Sequence, residues 1–106
     1  MTSDKPQAQE LIREWIVPTD HPAFPGHFPG RPIVPGVVLL DQALLLAQEL
    51  SQQEASGWQV GQAKFLSPVG PGETLSFKLV RQPSGQIRFT VSGPGRDVAS
   101  GSLTPP

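Results

Sequence analysis

Cysteine is absent from this chain, and with it go disulfides, thiol nucleophiles and any zinc site built on thiolates. That absence agrees with a cytoplasmic setting. Charge is also scarce: 16% of residues are charged and the formal net charge is −1. No basic excess is available to neutralise phosphates, which argues against a nucleic-acid partner. Two histidines and scattered acids offer no metal-ligand spacing, so neither a metal nor another cofactor is expected. No apolar run approaches the ~20 residues of a membrane span, and the opening MTSDKPQAQ lacks the apolar centre of a signal peptide. Repeats and low-complexity segments are missing too.

What the chain does have is glycine and proline, 11 and 13 of its 106 residues, so loops are well represented. Its length fits one domain with a modest core, which association with a second subunit would help to cover. Residues 1–9 read as a polar tail and 10–106 as the domain. The stretch 10–18, ELIREWIVP, alternates loosely and is expected to be a first strand ending at proline, although a helical period also fits it. Pro35 and Gly36 then open VVLLDQALLLAQEL, which has no breaker before Ser51 and predicts a helix over about 36–53. That helix is apolar around most of its circumference. Its later turns, with Gln48, Glu49, Gln52, Gln53 and Glu54, return to water. Four apolar segments follow, at 58–66, 73–82, 86–93 and 96–103, separated by the turn signals SPVGPG, PSG and GPG. Ser84-Gly85 and Pro94-Gly95 read as tight hairpin turns. Four strands in succession suggest an antiparallel meander, and one helix set against it makes an α+β domain.

Candidate chemistry gathers in residues 21–44, HPAFPGHFPGRPIVPGVVLLDQAL. Pro22, Pro25, Pro29, Pro32 and Pro35 should stiffen a loop that can hold His27 still. Asp41 lies inside the helix, with Val37, Val38, Leu44 and Leu45 one turn either way, so its carboxylate is expected on a buried face. A buried carboxylate needs a partner, and His27 is the obvious one. A base near neutral pH beside an acid is how one site moves two protons. Taken singly, His27 also reads as a packed loop histidine, and Asp41 as an acid at a helix edge or tied to a loop backbone. His21 reads as a loop residue facing solvent.

The segment GHFPGRPIVPGVVLLD resembles the active-site segment of the 3-hydroxyacyl-acyl-carrier-protein dehydratases of bacterial fatty acid synthesis, which have the hotdog fold. His27, Phe28, Pro29, Gly30, Pro35, Gly36 and Asp41 match the pattern of that family. The likeness continues through KFLSPVGPGETLSF at 64–77 and VASGSL at 98–103. It implies an α+β hotdog domain, an antiparallel sheet wrapped around one long central helix, and a dimer. It implies reversible dehydration of a 3-hydroxyacyl thioester, carried by an acyl carrier protein, to the trans-2-enoyl thioester. His27 would take the C2 proton and Asp41 would handle the departing hydroxyl, the two meeting from different subunits. The Gly36 N–H would bind the thioester carbonyl, and the Ile33 carbonyl would orient the His27 ring.

Phe24, Phe28, Val37, Leu40, Leu44 and Phe65 are candidates for an acyl tunnel, each equally readable as ordinary core. Arg31 and Lys64 are candidates for docking the carrier protein. The family's glutamine one turn after the acid is replaced by Leu45, and the chain is short for the family. An aspartate at position 41 is closer to the branch that also isomerises the double bond. The pathway can be of fatty acid, aryl polyene or polyketide type. Competing readings are a hotdog acyl thioesterase and a non-catalytic acyl-binding subunit, the latter as one half of a heterodimer with a related chain.

Overall fold

Alternation makes the sheet. In Ile87–Gly93 the side chains of Ile87, Phe89 and Val91 are buried while Arg88 and Thr90 are exposed, the period of two that sends neighbouring side chains to opposite faces. The computed structural model describes residues 9–18, 34–52 and 57–106. In chain order they form β1 (Glu10–Ile16), α1 (Gly36–Ser51), β2 (Gln59–Phe65), β3 (Thr74–Arg81), β4 (Ile87–Gly93) and β5 (Arg96–Thr104). The Gln9 carbonyl accepts the Arg81 N–H at 2.7 Å, so pairing with β3 reaches one residue ahead of β1.

All neighbouring strands are antiparallel, in the order β1-β3-β4-β5-β2. The expected meander therefore holds for β3, β4 and β5 but not for β2, which pairs with β5 at the far edge. The helix lies between β1 and β2 in the chain. With those two strands on opposite edges, the sheet can flank α1 from both sides.

The turns follow their residues. Pro94 and Gly95 join β4 to β5 as two residues, Gly95 at φ 67, the positive φ that a type II turn puts after proline. The β3–β4 hairpin has a three-residue loop, Pro83 to Gly85, instead of the expected Ser84-Gly85 pair. Gly85 at φ 92 donates to the Gln82 carbonyl at 2.9 Å, and the Gln82 N–H closes on the Gln86 carbonyl. In β2 two residues, Gln62 and Ala63, lie opposite Gly101, a β-bulge in which Gln62 takes φ 50. Gly101 fits tightly there: a Cβ on it would come within 2.8 Å of the Phe89 ring.

The core sits between sheet and helix. Leu75, Phe77, Leu79, Ile87, Phe89, Val98 and Leu103 from the sheet meet Leu39, Ala43, Leu46, Ala47 and Leu50 from α1. Each large side chain so buried is worth about 1.5–3 kcal/mol. Trp15 of β1 meets Phe77 edge-on, ring centroids 6.0 Å apart. The helix stops at Ser51, short of the expected 53, because Gln52 turns left-handed at φ 59. Its last carbonyls are well met: Ala47 by the Ser51 hydroxyl, Gln48 by the Gln52 N–H and Leu50 by Arg81 at 2.6 Å.

Candidate active site

The start of α1 is bare. Pro35 supplies extended backbone (φ −61, ψ 145) but no side-chain cap, and no acid stands in the first turn. Among the described residues the Gly36 N–H has no hydrogen-bond partner. Gly36 itself lines a pocket of about 520 Å³, together with Val34, Val37, Leu39, Phe65, Pro68 and Val69 among others. The Phe65 ring lies against the glycine, so a Cβ at position 36 would fall 2.8 Å from its Cε1 and Cζ atoms. A backbone donor with no partner among the described residues and a partial positive helix end thus stand in the lining of an apolar cleft.

Of the tunnel candidates, Val37 and Phe65 line this pocket. Leu40 and Leu44 do not; they are half-buried and pack against the core. The sequence reading missed Val34, Leu39, Leu66, Ser67, Pro68 and Val69. The signal lies in LSPVGPG, directly after Phe65, which the sequence marks as a turn and as part of the family likeness but not as a pocket wall. Lys64 points to the opposite face of the sheet, among Arg88, Thr90, Ser100 and Ser102.

Asp41 is exposed, not buried as its apolar neighbours suggested. It stands two residues, or about 200° around the helix, from both Leu39 and Ala43, whose side faces the sheet. Val37 and Leu45, one turn to either side of it, are 61% and 59% exposed. The apolar surroundings exist, but within one chain they form an open face.

His21, Phe24, His27, Phe28, Arg31 and Ile33 lie outside the described residues, so the proposed pairing of His27 with Asp41 does too. Among the described residues no cluster of three His, Cys, Asp or Glu side chains is placed to hold a metal ion. No helix there is long and apolar enough to cross a membrane.

The pocket wall is fixed by charge. Arg96 Nη2 donates to Glu73 Oε1 at 2.7 Å and to the Pro68 carbonyl at 3.1 Å, while Glu73 Oε2 accepts the Gly70 N–H at 2.7 Å. The Gly70 N–H, and after it the Arg96 guanidinium, hold the Glu73 carboxyl below the usual range against the smaller opposing effect of burial.

Comparison with known proteins agrees with this layout. A 3-hydroxyacyl-[acyl-carrier-protein] dehydratase FabZ of Enterococcus faecalis is 32% identical over 107 residues, covering 91% of this chain and 76% of its own length. The FabZ of Chlamydia trachomatis is 35% identical over 109 residues, covering 91% of this chain and 71% of its own. A chain of the dehydratase heterocomplex ApeI:P from Xenorhabdus doucetiae superposes with a TM-score of 0.76 at 27% identity, over 95% of this chain and 90% of that one. The helix flanked by an antiparallel sheet is accordingly the hotdog arrangement of the dehydratases. The family model for ApeI-like proteins, described as ApeI dehydratase, matches residues 3–102, and the chain belongs to that family.

Proposed function

We propose that this chain is a hydro-lyase that reversibly dehydrates a 3-hydroxyacyl thioester, delivered on an acyl carrier protein, to the trans-2-enoyl thioester. The activity class follows from family membership. The observation that carries the site is the Gly36 N–H, without a partner among the described residues, in the lining of the apolar pocket, with Asp41 on the same helix. His27 removes the proton from C2, and charge builds on the thioester oxygen. The Gly36 N–H receives that charge, where a fixed donor in a dry setting is worth most. Asp41 then protonates the hydroxyl leaving C3, so water departs and the C2–C3 double bond remains. The Ile33 carbonyl orients His27. Val37 and Phe65, which line the pocket, hold the acyl chain together with Phe24 and Phe28, and Arg31 meets the carrier.

A second copy of the chain completes the site. Asp41 shares its face with exposed Val37 and Leu45, and β2 with the residue after it adds exposed Val60, Phe65 and Leu66. Among the described residues β2 is also an edge strand, bonded to β5 on one side only, and an open edge beside apolar surface invites pairing. A homodimer across β2 covers this face and brings His27 of one subunit to Asp41 of the other. The heterocomplex formed by the Xenorhabdus relative supports the alternative of a related second subunit.

The test follows enoyl formation and free-thiol release separately, using the purified protein and 3-hydroxyacyl thioesters of several lengths. Dehydration yields the enoyl thioester without thiol. Thiol release without enoyl product would instead make the chain a thioesterase, and neither product would make it a binding subunit.

A further inference from the structure

The described residues on both sides of 19–33 are fastened to one turn. The Val17 N–H donates to the Glu73 carbonyl at 2.9 Å, and the Val17 carbonyl accepts the Gly72 N–H at 2.8 Å. On the other side the Val34 N–H donates to the Val69 carbonyl at 2.7 Å. Two residues later the chain enters α1 at Gly36, so this bond sets the height of the helix start against the wall formed by Leu66 to Val69.

The turn has little apolar anchorage of its own. Val69 is buried, but Pro68 and Gly72 are exposed, and Gly72 takes φ 80. Glycines at 70 and 72 leave the backbone many alternatives. What selects one shape is the Glu73 carboxylate, bound on one oxygen by the Gly70 N–H and on the other by Arg96, which also reaches the Pro68 carbonyl. Both side chains are about one-third exposed, enough to weaken the pair as a source of stability but not to remove its geometric constraint. Gly93 makes room for it: a Cβ there would sit 3.1 Å from Arg96 Nη1. Neither Glu73 nor Arg96 has a part in the proton transfers described above.

We infer that Arg96 and Glu73 are positioning residues: by shaping 68–70 they hold, through the Val69–Val34 bond, the Gly36 amide at the angle and depth needed to meet the thioester oxygen. This rests on the dehydratase reading of the site. The donor is useful only where the oxygen will be, and a displacement of about 1 Å in a catalytic group can cost up to 10²-fold in rate.

The experiment compares wild type with Arg96→Ala, Arg96→Lys, Glu73→Gln and Gly93→Ala, the last crowding the guanidinium without changing any charge. Enoyl formation is measured well below each variant's own Tm, with kcat and KM separated, and amide hydrogen exchange is read at Val34. In Arg96→Ala, kcat should fall about tenfold, as a misplaced rather than missing donor implies, with KM changed much less, and Val34 should exchange faster. Arg96→Lys should keep part of the rate. Guanidinium ion at millimolar concentration should restore part of it to Arg96→Ala. A lowered Tm with unchanged kcat, or unchanged exchange at Val34, would overturn the inference. Should Arg96→Ala fail to fold, Glu73→Gln, which removes the charge that holds Arg96 and the Gly70 N–H while keeping the shape, gives the same two readings. A wild type that forms no enoyl product defeats the dehydratase reading instead, and exchange at Val34 then decides the anchoring alone.

Discussion

Leu39, Ala43, Leu46, Ala47 and Leu50 turn toward the sheet and are buried, whereas Val37, Asp41 and Leu45, on the same helix, are exposed. Both faces are rich in apolar side chains, yet only the first is covered by the chain's own strands. Stability and the proposed chemistry are therefore separated around one helix axis. Residues of the sealed face other than Leu39, which also lines the pocket, should alter melting with little effect on turnover, and residues of the open face should do the reverse.

The sharpest contrast is at Asp41. Asp41→Asn should lose on the order of 10²–10⁴ in rate, the usual worth of a positioned acid or base, with little change in Tm. His27→Ala should do the same, and the double variant should be little worse than either if the two act as one unit. Enoyl formation and Tm, measured on the same three proteins, check this, and a large fall in Tm with normal turnover would erase the distinction between the faces. On the sealed face, Leu46→Ala should cost about 2–5 kcal/mol of stability by leaving a cavity, read by denaturant unfolding. Its surviving folded fraction should turn over normally.

Leu45→Lys tests whether the open face is covered by a second subunit. It should lower association in light scattering at micromolar concentration and reduce activity in step with the loss of dimer. Unchanged association would move the interface elsewhere.

Acid comes next in size. Because the folded Glu73 carboxyl is held below its usual range, its contribution is present above the ordinary carboxylate range and is lost as pH falls through the lowered value. Glu73→Gln should therefore show a shallower fall of Tm below that range than wild type. The smallest effect belongs to the ion pair between Arg13 and Glu49, 2.6 Å apart but about half-exposed on both sides. Glu49→Gln should change stability by less than about 1 kcal/mol, on the resolution limit of the same unfolding curves.

The helix was legible because Pro35 and Gly36 start it and no breaker follows before Ser51. The strands were legible because apolar residues alternate between turn signals. The edge position of β2 was not, since nothing local says which of two antiparallel neighbours a strand will choose. Apolar residues around Asp41 identified an apolar face correctly but not what covers it, because sequence spacing gives angles around an axis and not the position of the sheet. Arg96 and Glu73 meet across 23 residues, and no local pattern joins them. The dehydratase segment was legible as a motif, yet His27 and its loop lie outside the described residues.

The bulge in β2 decides which side of the sheet the next residues face. Val60 lies beside buried Leu103 and Gly61 beside Ser102, so strict alternation from there would turn Lys64 inward and Phe65 to the outer surface. The additional residue at 62–63 inverts the count, and Phe65 reaches Gly36 while Lys64 joins Arg88 outside. Deleting Gln62 would thus exchange a cation for an aromatic ring in the cleft wall, a parity error from one codon. The hydrophobicity of the cleft depends on an odd residue that never touches it.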